Sequence, residues 1–225
     1  MSRLFPKGGL VFEIGACIGD MVEGLLQHGA GWVVAIEPEA EDIAHMRKRF
    51  RNKDNVIIEP QAVGPEVGNG IISISRGSRS CTTFVPDVAW GEDTLLRGLP
   101  ISERRTVPMT TLDRLIEVYG MPDFVNMTVV RFEYQALCGL SKSLPYLAFA
   151  VTHDTIKEGW ALKAIDRIID ISPASSFNYT ERDALINNEL APLHFPTWVG
   201  AEGIKRLLPT IDCLGLWGRI HTRML

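Results

Sequence analysis

The sequence predicts an α/β protein: a single domain over residues 1–225, built on a mostly parallel seven-stranded sheet with helices on both faces. Three observations predict it. Short apolar runs alternate with segments whose apolar residues recur every three to four positions. A length of 225 residues is ample for one sizeable core. The first apolar run also passes through VFEIGACIGDM, with glycines at 15 and 19, straight into a helical pattern.

The elements follow in order. Residues 10–14 read as a buried strand. Residues 20–27 read as a helix in which Met21, Val22, Leu25 and Leu26 form i,i+4 pairs, with Gly29 as the stop. Residues 32–36 are a second apolar run, closed by Glu37 and Pro38. Residues 39–50 are helical, with Ile43, Met46 and Phe50 on one face and Arg47, Lys48 and Arg49 in the last turn. Residues 56–58 are a third strand. This order at this spacing is a βαβαβ half, and so a parallel sheet with right-handed crossovers.

Residues 71–75 alternate like a short strand, and order resumes at 106–109. Between them, 76–105 has no sustained period and is expected to be a loop-rich insert, either a substrate lid or a disordered stretch. Thr110 and Thr111 are placed to cap a helix with Leu112, Leu115, Ile116 and Tyr119 on its face, stopped by Gly120. Strands are expected at 124–130, 146–152, 177–179 and 214–222. A short helix is expected through Ala136, Leu137 and Leu140, and an amphipathic one over 157–171.

Bulk properties narrow the function. Hydrophobic residues make up 46% and charged residues 22%, as in an ordinary soluble globule. A net charge of −4 gives no global electrostatic reason to bind nucleic acid or anionic membrane. Four scattered cysteines without a C-x-x-C pair point to neither a disulfide framework nor a metal site, and fit a reducing, cytoplasmic setting. The N-terminal segment fails as a signal peptide, and no run is long enough to span a bilayer.

The opening motif carries the chemistry. Gly15 and Gly19 let backbone approach a ligand, and the helix that Asp20 begins points its N-terminus at the same crevice. Glu37, at the end of the second strand, is placed to accept hydrogen bonds from two ribose hydroxyls. The nicotinamide fingerprint is G-x-G-x-x-G, whereas this run is G-x-x-x-G with Glu13 two residues ahead. Pyrophosphate disfavours an adjacent anion. A carboxylate instead suits a ligand with a cationic end, such as S-adenosylmethionine with its ammonium and sulfonium. Glu13, Gly15, Gly19, Asp20 and Glu37 are therefore the candidate cofactor-binding residues. A nicotinamide-dependent oxidoreductase ranks below this reading, and a packed βα turn without a ligand is the bland one.

Several stretches taken together resemble one family, the FkbM-type methyltransferases. They are VFEIGACIGDM, VVAIEPEAEDIAHMRKRF, NVIIEPQAVG, VPMTTLDRLIEVYGMPDFV, FNYT and the closing WGRIHTRML. The resemblance spans nearly the whole chain. It implies a Rossmann-like class I methyltransferase fold, S-adenosylmethionine as cofactor, and O-methylation of a hydroxyl on a small molecule or sugar.

The chain departs from the family pattern where that pattern is acidic. Thr128 and Val130 stand at an Asp and a Glu position, and Arg131 at a Gly position. Ala150 and Arg219 replace further carboxylates, and Glu133 remains. Threonine hydrogen-bonds but is no base at neutral pH. Two consequences are open: a site re-tuned toward an anionic substrate through Arg131, or a catalytically weakened protein that binds the cofactor or a partner. Candidate catalytic residues are His153, Asp154 and Glu133. Trp90 is a candidate cover for the substrate, or else an anchor for its own loop.

Overall fold

The computed structural model describes residues 5–75, 82–84, 103–181, 185–186, 189–190, 192–213 and 217–224. The first half alternates as expected: β1 (Leu10–Ile14), α1 (Asp20–Gln27), β2 (Trp32–Ile36), α2 (Ala40–Arg49) and β3 (Val56–Glu59). Four strands then lie outside the main sheet: β4 (Ala62–Val63), β5 (Gly68–Ile74), β6 (Thr82–Thr83) and β7 (Glu103–Thr110). Next come α3 (Leu112–Tyr119), β8 (Phe124–Met127), α4 (Glu133–Cys138), β9 (Leu147–Val151), α5 (His153–Lys157), α6 (Trp160–Ile171) and β10 (Ser176–Glu181). A two-residue pair, β11 (Leu185–Ile186) and β12 (Glu189–Leu190), precedes α7 (Ala201–Cys213) and β13 (Gly218–Arg223).

The seven-stranded sheet runs β10-β13-β9-β8-β1-β2-β3. Its neighbours are parallel except β13, which is antiparallel to both β9 and β10. Strand order reverses between β1 and β8, so the crevice at a switch point opens beyond their carboxyl ends.

Alternation along β1 splits the core between the two sheet faces. Phe12 and Ile14 join a cluster with Leu112 of α3, Leu137 of α4, Ile165 of α6 and Leu208 of α7. Val11 joins Val22 and Leu25 of α1 and Met46 of α2 in another. Helices therefore cover both faces.

The second sheet, ordered β4-β7-β5-β6, was not expected as a unit. β5 and β7 pair antiparallel from Gly68–Met109 to Ile74–Glu103. Ala62, Ile72, Ile74, Val107 and Met109 give it a core of its own. Phe84 stacks on Phe132 with ring centroids 4.6 Å apart, tying this sheet to the turn before α4.

Three other expectations change. Both ends of the 76–105 insert hold strand: Thr82–Thr83 pairs with β5, and Glu103 to Arg105 begin β7. Apart from Phe84, the rest of that insert, with Trp90, lies outside the described residues. The helix expected over 157–171 begins instead at Trp160, because Gly159 at φ +78 separates α6 from a short α5 that ends at Lys157. Of the strand expected over 214–222, the described part is Gly218–Arg223, and residues 214–216 lie outside the described residues.

Candidate functional site

The turn after β1 is built for close approach. Gly15 has φ +79, and a Cβ there would meet the Thr128 carbonyl oxygen at 1.9 Å. Gly19 has φ +89, and its Cβ would meet the Phe50 ring at 2.5 Å. Only glycine satisfies both the conformation and the space. The end of β8 thus lies directly against the glycine turn, at the switch point.

Glu37, at the end of β2, is buried and underpins that turn. Its Oε2 accepts the Cys17 N–H at 2.9 Å, and its Oε1 accepts the Glu39 N–H at 2.9 Å. Burial pushes its carboxyl up to about 7, although both N–H bonds work the other way. Cys17 adopts φ +49 within the turn. Its thiol, beside Asp42, is pushed up to about 12, first by burial and then by that carboxylate.

Glu13 lies in register with Asn126 of β8. The Asn126 amide donates to both carboxylate oxygens, at 3.1 and 2.8 Å. The opposite amide orientation would set acceptor against acceptor. Among the described residues, Asn126 Oδ1 then has no hydrogen-bond partner, although it is buried. The two residues form a buried group of acceptors beside the glycine turn.

The end of β8 is held by the last strand. Arg219 is buried and donates from Nη2 to Thr128 Oγ1 at 2.6 Å and from Nη1 to the Met127 carbonyl at 3.2 Å. Glu133, at the start of α4, accepts the Val129 N–H at 3.2 Å. Burial pushes its carboxyl up to about 7, against the pull of backbone N–H groups and Arg219. Val130 has φ +38 and Arg131 φ +71. The backbone has kept a glycine-like conformation with arginine in it. Arg131 itself is buried and ion-paired with Glu158.

The remaining expected residues sit further out. Asp20 is exposed, and its Oδ1 lies 2.5 Å from Arg49 Nη1. Arg49 also donates to the Ile18 carbonyl at 3.2 Å, so it braces the glycine turn from α2. His153 opens α5, with Nδ1 2.7 Å from Asp212 Oδ1 of α7. Asp154, next to it, is buried.

Two polar residues of the site escaped sequence reading. Asn126 is one, although its place beside Glu13 follows once β1 and β8 are paired. Glu39 is the other. It caps α2, accepting the Glu41 and Asp42 N–H groups at 2.6 and 3.0 Å, and it pairs with Arg105 of β7 at 2.9 Å. Its signal was an acidic residue just before a helix. Among the described residues, no group of three His, Cys, Asp or Glu side chains is placed to hold a metal. Nor is any of their helices long and apolar enough to cross a membrane.

Comparison with known proteins bears on this arrangement. No curated protein matches the sequence. Among solved structures, methyltransferase FkbM from Methylobacillus flagellatus is 16% identical at a TM-score of 0.53, over 82% of this chain and 42% of that one. The present chain thus spans under half the length of that relative. Precorrin-6y C5,15-methyltransferase from Geobacter metallireducens is 11% identical, with a TM-score of 0.44, over 99% of this chain and 83% of that one. Spermidine synthase from Thermotoga maritima is 10% identical, with a TM-score of 0.47, over 99% and 55%. At such identities the Methylobacillus likeness speaks for the fold. The sequence profile of the methyltransferase FkbM domain matches residues 13–179, from the carboxylate of β1 to the middle of β10. That match covers well over half of the sequence, and this chain belongs to the FkbM methyltransferase domain family.

Proposed function

We propose that this protein is a methyltransferase that uses S-adenosylmethionine and methylates a hydroxyl on a small molecule or sugar. One observation carries the cofactor assignment: the buried acceptor group of Glu13 and Asn126, with Asn126 Oδ1 lacking a donor. Buried acceptors call for a donor. An ammonium supplies charge for Glu13 and N–H groups for Asn126, so the residues present fit this cofactor.

Glu37 has two N–H groups on its carboxylate, and such a group offers about four lone-pair sites. Two remain for ribose hydroxyls. Gly15 and Gly19 keep side chains out of the turn. S-adenosylmethionine, when bound, supplies an activated methyl on a sulfonium.

Glu133 is the proposed base. A carboxyl raised to about 7 suits proton acceptance near neutrality. His153, held by Asp212, is the other candidate, with Asp154 beside it in α5. Arg131 and Trp90 are carried as proposed substrate residues.

A second reading has an observation of its own. Arg219 is spent on Thr128 and the β8 backbone, where the family pattern has carboxylates. On that reading the protein binds the cofactor or a partner and turns over weakly.

Titration calorimetry with S-adenosylmethionine and its demethylated product tests the cofactor, and a panel of hydroxylated acceptors tests turnover. Glu37→Ala is expected to weaken binding at least about tenfold through lost hydrogen bonds to a charged group. Equal binding by that variant would sink the ribose assignment. Tight binding of NADH with none of S-adenosylmethionine would move the protein to nicotinamide chemistry. Binding without transfer to any acceptor would favour the second reading.

A further inference from the structure

We propose that Arg105, on the second sheet, is a positioning residue for the ribose end of the site, acting through Glu39 on Glu37; the inference rests on the cofactor reading above. The contacts form a continuous relay. Glu103 Oε1 accepts from Arg105 Nε at 3.1 Å and from Nη2 at 2.7 Å, which fixes the guanidinium. Nη1 then reaches Glu39 Oε1 at 2.9 Å. The other oxygen of Glu39 is committed to the first N–H groups of α2. The N–H of Glu39 itself donates to Glu37 Oε1. Glu37 passes the constraint on to the glycine turn through the Cys17 N–H.

Charge explains why the relay needs a cation. Glu37, Glu39, Glu41 and Asp42 crowd one helix start, and the first two are buried. Buried like charges disfavour one another. Arg105 supplies the opposite charge at Glu39, which keeps that side chain folded under the helix rather than turned to water. With Glu39 in place, its N–H holds one Glu37 oxygen and leaves a defined set of lone pairs for a diol. Without Arg105, Glu39 Oε1 loses its Arg105 hydrogen bond while Oε2 keeps its two to the helix start, and the Glu37 carboxylate loses a fixed orientation. The second sheet is then part of the cofactor site.

The test has two arms, applied to the natural protein, Arg105→Ala and Arg105→Lys. Calorimetry measures affinity for S-adenosylmethionine. Amide hydrogen exchange by NMR, without ligand, follows the Cys17 and Glu39 N–H groups, with the Ile72 amide of β5 as control. Arg105→Ala is expected to weaken binding roughly five- to tenfold, the loss of one charge-assisted bond acting at a distance. It should also speed exchange at Cys17 and Glu39 but not at Ile72. Arg105→Lys, which keeps the charge, should recover most of both. Unchanged exchange at Cys17 and Glu39 overturns the inference, as does an equal rise at Ile72, which would make Arg105 a prop of its own sheet. Selective exchange changes in a protein that binds no S-adenosylmethionine would leave the relay standing and overturn the cofactor reading instead.

Discussion

At the residue scale, backbone conformation separates two kinds of exposure to mutation. Gly15 combines positive φ with a carbonyl 1.9 Å from where a Cβ would sit. Gly15→Ala is therefore expected to cost at least ~2 kcal/mol, because backbone rather than a flexible side chain must move. Chemical denaturation measures it. Val130 is the converse case. A β-branched residue at φ +38 is disfavoured by about 1–2 kcal/mol. Val130→Gly should thus leave stability unchanged or raise it, where an ordinary half-buried valine would lose stability. A fall of more than ~2 kcal/mol on denaturation would show that Val130 packing outweighs its backbone strain. Glu13 and Glu37 were legible in the sequence because apolar strands seldom end in carboxylates. The parts played by Asn126, Arg105 and Arg219 were not. Asn126 faces Glu13 across 113 positions and Arg219 reaches Thr128 across 91, and no local pattern encodes such pairings.

Among the elements, legibility tracks periodicity. β1, β2 and β3 read clearly because each is a short apolar run closed by glycine, proline or carboxylate. The Thr111 cap was legible too, and its Oγ1 accepts the Arg114 N–H at 3.1 Å. The second sheet was hidden for the opposite reason. β5 carries Gly68, Asn69 and Gly70, β7 carries Arg104 and Arg105, and the two pair across an intervening stretch of more than twenty-five residues. Helix α7 was hidden by Pro209, which breaks the helical reading but is accommodated inside the helix. The break at Gly159 offers a clean experiment. A Cβ there meets nothing within 4 Å, yet φ is +78. Gly159→Ala should cost about 1 kcal/mol from backbone alone, read as a modest fall in melting temperature. A loss as large as that of Gly15→Ala would contradict the assignment.

Across the whole molecule, buried titratable groups set opposing responses to pH. Glu37 and Glu133 have folded values near 7, raised above the ordinary 4.5. The folded state holds their protons between those values while the unfolded chain has released them. Their contribution is fully present below about 4.5 and is lost as pH rises through 7. His221 acts the other way. It is buried between Tyr146 and Thr180, and burial, then the charge of Arg219, pushes it down to about 3. Its contribution is present above 6.5 and is lost as pH falls toward 3. Glu133→Gln isolates one side of this balance. The variant should gain stability relative to the natural protein between pH 5 and pH 8, by denaturant midpoint at each pH. A constant difference across that range would mean that Glu133 is not protonated in the folded state near neutrality.

The place of β13 bears on how the protein is made. Translation releases β1, β2 and their carboxylates early, and Gly218–Arg223 after every other strand of the main sheet. Yet that late strand fills the gap between β9 and β10 rather than adding at an edge. Until it leaves the ribosome, β9 ends in an open ladder and β10 has no neighbour in the main sheet. Open ladders are templates for pairing with other chains. The nascent chain therefore carries an aggregation hazard in the interval before β13 emerges, and insertion of β13 ends that hazard while bringing Arg219 to Thr128.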